Sequence, residues 1–222
     1  MSMNRPNPEL TAILWDFGGV LTTSPFEAFN RYEQEQGLPI DFIRRVNATN
    51  PESNAWAQFE SSQIDHAAFD EAFREEARRL GHDVPGAAVL KLLSGDVRPR
   101  MVTALERCKT HFRVGCITNN VKSGRGAGMA TTSARAAAVA AVMERFDVVV
   151  ESSVEGVRKP DPEIYRRACD RLGVTPERCA FLDDLGINLK PAAALGMRTI
   201  KVLSEEQALA DLEALTGLEL RE

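Results

Sequence analysis

The sequence predicts an α/β protein: a Rossmann-like parallel sheet with helices on both faces and an α-helical insertion after its first strand. Three observations point there. From residue 99 onward, short apolar runs alternate with helix-patterned stretches of about 10–15 residues, which is the signature of right-handed βαβ units. One apolar run, Thr11–Trp15, stands apart from the others, separated by a long segment without any apolar β-run. Four of the runs end in polar, chemically capable residues.

The first run, Thr11-Ala-Ile-Leu-Trp15, reads as a buried strand closed by the tight turn Asp16-Phe-Gly-Gly19. Between Pro25 and Leu93, Phe26, Phe29, Tyr32, Phe59, Phe69, Phe73 and Ala77 recur at helical intervals among polar residues. Breaks fall at Gly37-Leu-Pro39, Asn50-Pro51 and Gly81, so four or five helices are expected. Met101–His111 then reads as a helix, Arg113–Thr118 as a strand, Ser133–Glu144 as an Ala-rich helix and Phe146–Val150 as a strand. The remainder reads as helix Pro162–Leu172, strand Cys179–Asp183, helix Ile187–Leu195, strand Arg198–Val202 and helix Glu205–Leu215. Residues 1–22 and 96–222 are expected to build the sheet domain, and 23–95 the helical unit.

Composition narrows the function. The 222 residues are 44% apolar and 27% charged, as in ordinary globular proteins, and 27 Lys and Arg against 32 Asp and Glu give a net charge of −5. Without a basic run, neither nucleic acid nor an anionic membrane is an expected partner, while a small anion can still bind a locally positive pocket. The longest apolar stretches fall short of the ~20 residues a membrane span needs. The first residues lack the layout of a secretory signal, so a cytoplasmic location is expected, with Cys108, Cys116, Cys169 and Cys179 as reduced, buried thiols. No pair of them has CxxC spacing. No apolar stripe exceeds what a core consumes, and the oligomeric state stays open.

The polar strand ends converge. In an open parallel sheet the carboxyl ends of the strands share one edge, where ligands bind. Asp16, Thr118 with Asn119, Glu151 with Ser152, and Asp183 with Asp184 would all face that edge, with Lys159 a few residues beyond. Carboxylates gathered so closely call for a hard cation, and Mg²⁺ suits one or two carboxylates plus phosphate oxygens.

The stretches Trp15-Asp-Phe-Gly-Gly-Val-Leu21, Ile117-Thr-Asn119, Arg158-Lys-Pro-Asp-Pro-Glu-Ile-Tyr165 and Phe181-Leu-Asp-Asp-Leu-Gly-Ile-Asn-Leu-Lys-Pro191 resemble, in this order, the haloacid-dehalogenase superfamily of phosphotransferases. The resemblance covers essentially the whole chain. Its last stretch looks most like the phosphatase domain at the N-terminus of mammalian soluble epoxide hydrolase. The resemblance implies that Asp16 attacks the phosphorus of a small phosphorylated metabolite and carries the phosphoryl group as an aspartyl-phosphate. It implies that Asp16, the Gly18 carbonyl and Asp184 hold Mg²⁺, with Asp183 beside them. It further implies that Thr118 and the Asn119 backbone bind the phosphoryl oxygens, that Lys159 offsets their charge, and that Asn188 braces the metal loop. Residues 23–95 would be a cap, hinged near Thr22–Pro25 and Gly95–Pro99, that closes over the site and excludes water.

One position departs from the family's phosphatases, where the residue two after the nucleophile is usually an Asp that serves as acid and base. Here it is Gly18. An acid–base group contributes about 10²–10⁴ in rate, so three readings stay open. The substrate carries a good leaving group; Thr22 or a substrate hydroxyl stands in; or the protein is a weak or silent phosphate-ligand-binding domain. A 2-haloacid dehalogenase, which uses the same Asp without metal, is disfavoured by Asp183-Asp184. Gly124-Arg-Gly126-Ala-Gly128 has GxGxG rather than GxGxxG spacing and no GK[ST], so it reads as a loop at the site rim and not as a nucleotide loop. Phe26, Trp56 and Phe59 are expected in the core of the insertion, with a pocket-lining role for one of them as the alternative.

Overall fold

The computed structural model describes residues 6–93, 95–120 and 133–221. The Gly124–Gly128 loop lies outside them. Five parallel strands form one sheet: β1 (Ala12–Trp15), β2 (Arg113–Thr118), β3 (Val148–Glu151), β4 (Cys179–Asp183) and β5 (Arg198–Lys201), in the order β3-β2-β1-β4-β5. From β1 the chain builds outward through β2 and β3, then returns to the other side for β4 and β5. The order therefore reverses at β1, the place where a parallel sheet opens a crevice at its carboxyl edge. Trp15 is in register with Cys116 on one side and Leu182 on the other. Asp16, one residue on, is therefore level with the ends of both neighbours, next to Ile117–Thr118 and Asp183.

Period-2 alternation sorts the strand residues between two cores. Ile13, Trp15, Val114, Cys116, Ala180 and Leu182 join one cluster, with residues of α6 (Pro99–Lys109), α7 (Ser133–Met143) and α11 (Glu205–Thr216). Ala12, Leu14, Ile117 and Phe181 join the other, with residues of α9 (Pro162–Leu172) and α10 (Gly186–Ala194). Both faces are covered, which is why the strands read as unbroken apolar runs. All four cysteines are free and buried.

Between β1 and α6 lie five helices: α1 (Pro25–Glu35), α2 (Phe42–Ala48), α3 (Ala55–Glu60), α4 (His66–Arg79) and α5 (Gly86–Lys91). They bury a third cluster of their own, around Phe29, Phe42, Phe59, Phe69 and Phe73. The two connectors to this segment pair with each other. Thr22 bridges Val97 antiparallel, Thr23 N–H donates to Asp96 O at 2.8 Å, and Arg98 N–H donates to Leu21 O at 2.8 Å.

The predicted elements are present with shifted ends. The third strand starts at Val148 and not Phe146, because Gly115 takes Val148 as its partner; Asp147 instead closes the end of the ladder, its carboxylate accepting from Val114 N–H at 2.8 Å. The one-turn α8 (Ser152–Glu155), stopped by Gly156 in the left-handed region, and the 3₁₀ turn Pro176–Arg178 have no counterpart in the sequence reading. Neither is long enough to show a helical period.

Candidate active site

Asp16 follows β1 directly and is tied to the sheet by its N–H, which donates to Leu182 O at 2.8 Å. Its Oδ1 accepts from Phe17 N–H at 2.7 Å and lies 2.7 Å from Lys159 Nζ. Among the described residues both donors fall on Oδ1, so Oδ2 keeps its lone pairs free. Lys159 is only 1% exposed, and its ammonium also reaches Asp183 Oδ2 at 2.7 Å. Asp183, wholly buried at the end of β4, spends both oxygens on donors: Leu185 N–H at 2.8 Å, Asn188 Nδ2 at 3.0 and 3.1 Å, and Lys159. Asn188 is held in turn by α9, since Tyr165 O–H donates to its carbonyl at 2.7 Å.

Asp184 points a half-buried carboxylate into the same space. Asp16, Asp183 and Asp184 each place an oxygen within 4.8 Å of the others. Gly19 makes this approach possible: its φ of +76° suits glycine, and a Cβ there would overlap the Asp184 carboxylate.

Three carboxylates around one ammonium leave a formal charge of −2 in a mostly buried site. Burial pushes the Asp16 carboxyl up to about 8; Lys159 pulls it down, and Asp183 and Asp184 add to the rise. Burial and Asp183 push Asp184 up to about 6. For Lys159 burial works the other way, but Asp16 and Asp183 outweigh it and hold the ammonium above its ordinary range. The deficit is of positive charge, and a divalent cation among oxygen donors matches it in sign and size. No N–H among the described residues donates to the Gly18 carbonyl, which lies in the same turn and is free for such an ion.

A cavity of about 490 Å³ opens from this cluster. At its floor lie Asp16, Gly18, Thr118, Asn119, Lys159, Asp184 and Asn188, and its walls include Phe17, Phe26, Phe29, Trp56 and Leu93. The structure thus brings Asp16, Gly18, Thr118, Asn119, Lys159, Asp184 and Asn188 together on this cavity, with Asp183 in the carboxylate cluster beside them, whereas Glu151 and Ser152 are turned to Asn120 and do not line it. Thr118, at the end of β2, makes no side-chain hydrogen bond among the described residues. Asn119 contributes more than its backbone: its Oδ1 accepts from Lys159 N–H at 2.9 Å, and its Nδ2 donates to Lys159 O at 3.0 Å.

Phe59 is in the insertion's core as expected, whereas Phe26 and Trp56 stand on the cavity wall. Two residues escaped the sequence reading. Ser24 Oγ donates to Asp184 Oδ2 at 3.4 Å and also caps α1, the only role its position before Pro25 advertises. Glu60, at the end of α3, lines the cavity with Arg158 Nε 3.0 Å from its Oε2. Burial raises the Glu60 carboxyl above its ordinary range, against the pull of Arg158, Trp56, Lys159 and Asn119.

Comparison with known proteins agrees with this arrangement. Residues 10–196 match the family model for haloacid dehalogenase-like hydrolases. The chain is 33% identical to mouse acyl-CoA dehydrogenase family member 10, over 94% of this chain and 19% of that protein. It is 29% identical to mouse bifunctional epoxide hydrolase 2, over 96% of this chain and 40% of that one. The chain therefore spans well under half of both relatives. Phosphatase MT3486 of Mycobacterium tuberculosis is 27% identical over 87% of each chain.

Among solved structures, a HAD family enzyme from Bacteroides thetaiotaomicron, in complex with magnesium and inorganic phosphate, shares the fold. Its TM-score is 0.54 at 20% identity, over 86% of this chain and 93% of that one. L-2-haloacid dehalogenase from Xanthobacter autotrophicus does so with a TM-score of 0.59 at 19% identity, over 96% and 89%. With the family model matched from before β1 to beyond α10, the chain belongs to the haloacid dehalogenase-like hydrolases.

Proposed function

We propose that this protein is a Mg²⁺-dependent phosphatase that hydrolyses a small phosphorylated metabolite through an aspartyl-phosphate on Asp16. The observation that carries this reading is the buried Asp16–Lys159–Asp183 chain, with Asp184 beside it and a net charge of −2. Relatives named as phosphatases that match along most of their own length support it.

Asp16, the Gly18 carbonyl and Asp184 would hold the ion, with Asp183 beside them fixing Lys159. When bound, Mg²⁺ supplies the positive charge that lets an anionic nucleophile meet an anionic phosphate. Asp16 Oδ2, the oxygen without a donor, attacks phosphorus as the ester P–O bond breaks. Lys159 and Thr118 stabilise charge on the equatorial oxygens, assisted by the Asn119 N–H. Water then attacks the same phosphorus, releasing inorganic phosphate and restoring the carboxylate.

Gly18 offers no side chain to protonate the leaving oxygen. The site therefore suits substrates that need little protonation, such as acyl or glycosyl phosphates. The helices of residues 23–95 act as a cap on the core built by 1–22 and 96–222, and their aromatic wall receives the organic half of the substrate.

Gly18 also favours a second reading, a domain that binds a phosphate ligand without turnover. Dehalogenation is disfavoured, because carboxylates without a counter-ion would sit beside a departing halide. Phosphate release from a panel of esters and acyl phosphates, with Mg²⁺ or EDTA, separates these readings. The phosphatase gives metal-dependent release that is abolished in Asp16→Asn. No release by a folded protein that still binds Mg²⁺ would establish the silent domain.

A further inference from the structure

Helix α3 ends in a carboxylate that touches the core at the point where Lys159 is held. Glu60 Oε1 accepts from Trp56 Nε1 at 2.9 Å within its own helix. Its Oε2 reaches across to the core, accepting from Asn119 Nδ2 at 3.3 Å and lying 3.0 Å from Arg158 Nε. Its backbone carbonyl accepts from Ser152 Oγ at 3.1 Å, so the end of α3 is seated by both main chain and side chain. The carboxylate is 12% exposed and Arg158 22%, a largely desolvated pair.

The amide of Asn119 has two N–H groups and one oxygen. Oδ1 takes Lys159 N–H, and Nδ2 gives one hydrogen to Lys159 O. The second hydrogen goes to Glu60. Without that acceptor, Asn119 would lose the bond that ties its part-buried amide to α3, which loosens whatever the amide holds. What it holds is the main chain of Lys159, whose ammonium reaches Asp16 and Asp183 at 2.7 Å each.

We propose that Glu60 is a positioning residue: through Asn119 it fixes the main chain of Lys159, so that the seating of α3 on the sheet edge governs the placement of the ammonium against Asp16. The inference rests on Lys159 and Asp16 being the catalytic pair of the proposed phosphatase. It gives the helical insertion a specific handle on the chemistry, beyond covering the cavity.

The amide of Lys159 offers a readout independent of turnover, because its hydrogen bond to Asn119 Oδ1 protects it from exchange. In Glu60→Gln, a near-isostere whose single acceptor oxygen cannot serve both Trp56 and Asn119 from opposite sides, exchange at Lys159 is expected to speed up about tenfold. Amides of β1 and β4 should keep their wild-type rates, which also verifies the fold. Glu60→Asp keeps the charge but is one methylene short of Asn119 and should behave alike; it is the substitute if Glu60→Gln does not fold. Trp56→Phe, which leaves Asn119 its acceptor, should leave Lys159 protected.

In Glu60→Gln and Glu60→Asp kcat for phosphate release should fall about tenfold with KM nearly unchanged, the pattern of an interaction lost in the transition state. Glu60→Gln combined with Asn119→Ala should lose no more than Asn119→Ala alone. Unchanged exchange at Lys159, or losses that add in the double variant, would overturn the proposal. A wild-type protein that releases no phosphate would instead refute the phosphatase reading, and the exchange measurement would still decide on Glu60.

Discussion

Gly18 and Gly19 are neighbours of one type with different reasons to be there. Gly19 is required by its backbone and by the Asp184 carboxylate against it. Gly18 is not: a Cβ built there meets nothing within 4 Å, so sterics do not exclude the Asp that the family's phosphatases usually carry. Gly18→Asp should raise phosphate release from an unactivated alkyl ester by at least about tenfold, the lower part of the range for an acid–base group. The gain should be much smaller for an aryl ester whose leaving oxygen needs no proton. Equal gains for both esters, or none, would show that protonation is not what Gly18 withholds. The sequence made Asp16, Lys159, Asp183 and Asp184 legible because strand ends share an edge. The side-chain roles of Glu60 and Asn119 were hidden, since their hydrogen bond joins residues 59 apart and neither helix nor strand period marks it.

At the scale of elements, periodicity showed which helix faces are apolar without showing what each face meets. In α1, Phe26 and Phe29 both line the cavity; Phe29 is 2% exposed and belongs to the insertion's core, while Phe26 is only partly buried and packs against that core. Both belong to the same helical pattern, so the sequence could not separate core from pocket. The Phe26 ring packs edge-on to Phe29 at 5.9 Å and carries the Arg44 guanidinium 4.4 Å from its centroid. The ring also lines the cavity. Phe26→Ala should raise KM about tenfold for a phosphate ester with a long apolar tail, the scale of losing part of a buried aromatic ring. A short-chain ester should be nearly unaffected, and kcat should hold for both. A parallel rise for both esters would place the ring outside the substrate path.

For the molecule as a whole, alternating elements predicted a parallel sheet but not its strand order, and it is the observed reversal at β1 that places the crevice beside Asp16. Charge could not be read the same way. A net −5 spread over 222 residues says nothing of three carboxylates within 4.8 Å, a local excess that exists only after folding. That excess makes stability depend on pH. Asp16 and Asp184 have folded pKa values raised to about 8 and about 6 from an ordinary 3.8, so between these limits the native state binds more protons than the unfolded chain. Their contribution is therefore fully present below the unfolded value and is lost as pH rises through about 6 and then about 8. The metal-free protein should lose Tm from pH 6 to pH 8. Mg²⁺ replaces the lost protons as the neutralising charge, so its stabilisation should grow over the same interval. At a hundredfold excess over Kd, binding to the native state alone adds about 2.7 kcal/mol, or about 5–10 °C for a domain of this size. Thermal unfolding with Mg²⁺ or EDTA at the two pH values checks both trends. In Asp184→Asn the magnesium effect should shrink at both values, and the metal-free fall between pH 6 and 8 should flatten, because one of the titrating carboxylates is gone. A Tm gain from Mg²⁺ that is equal at pH 6 and pH 8, or that survives intact in Asp184→Asn, would mean the ion binds elsewhere.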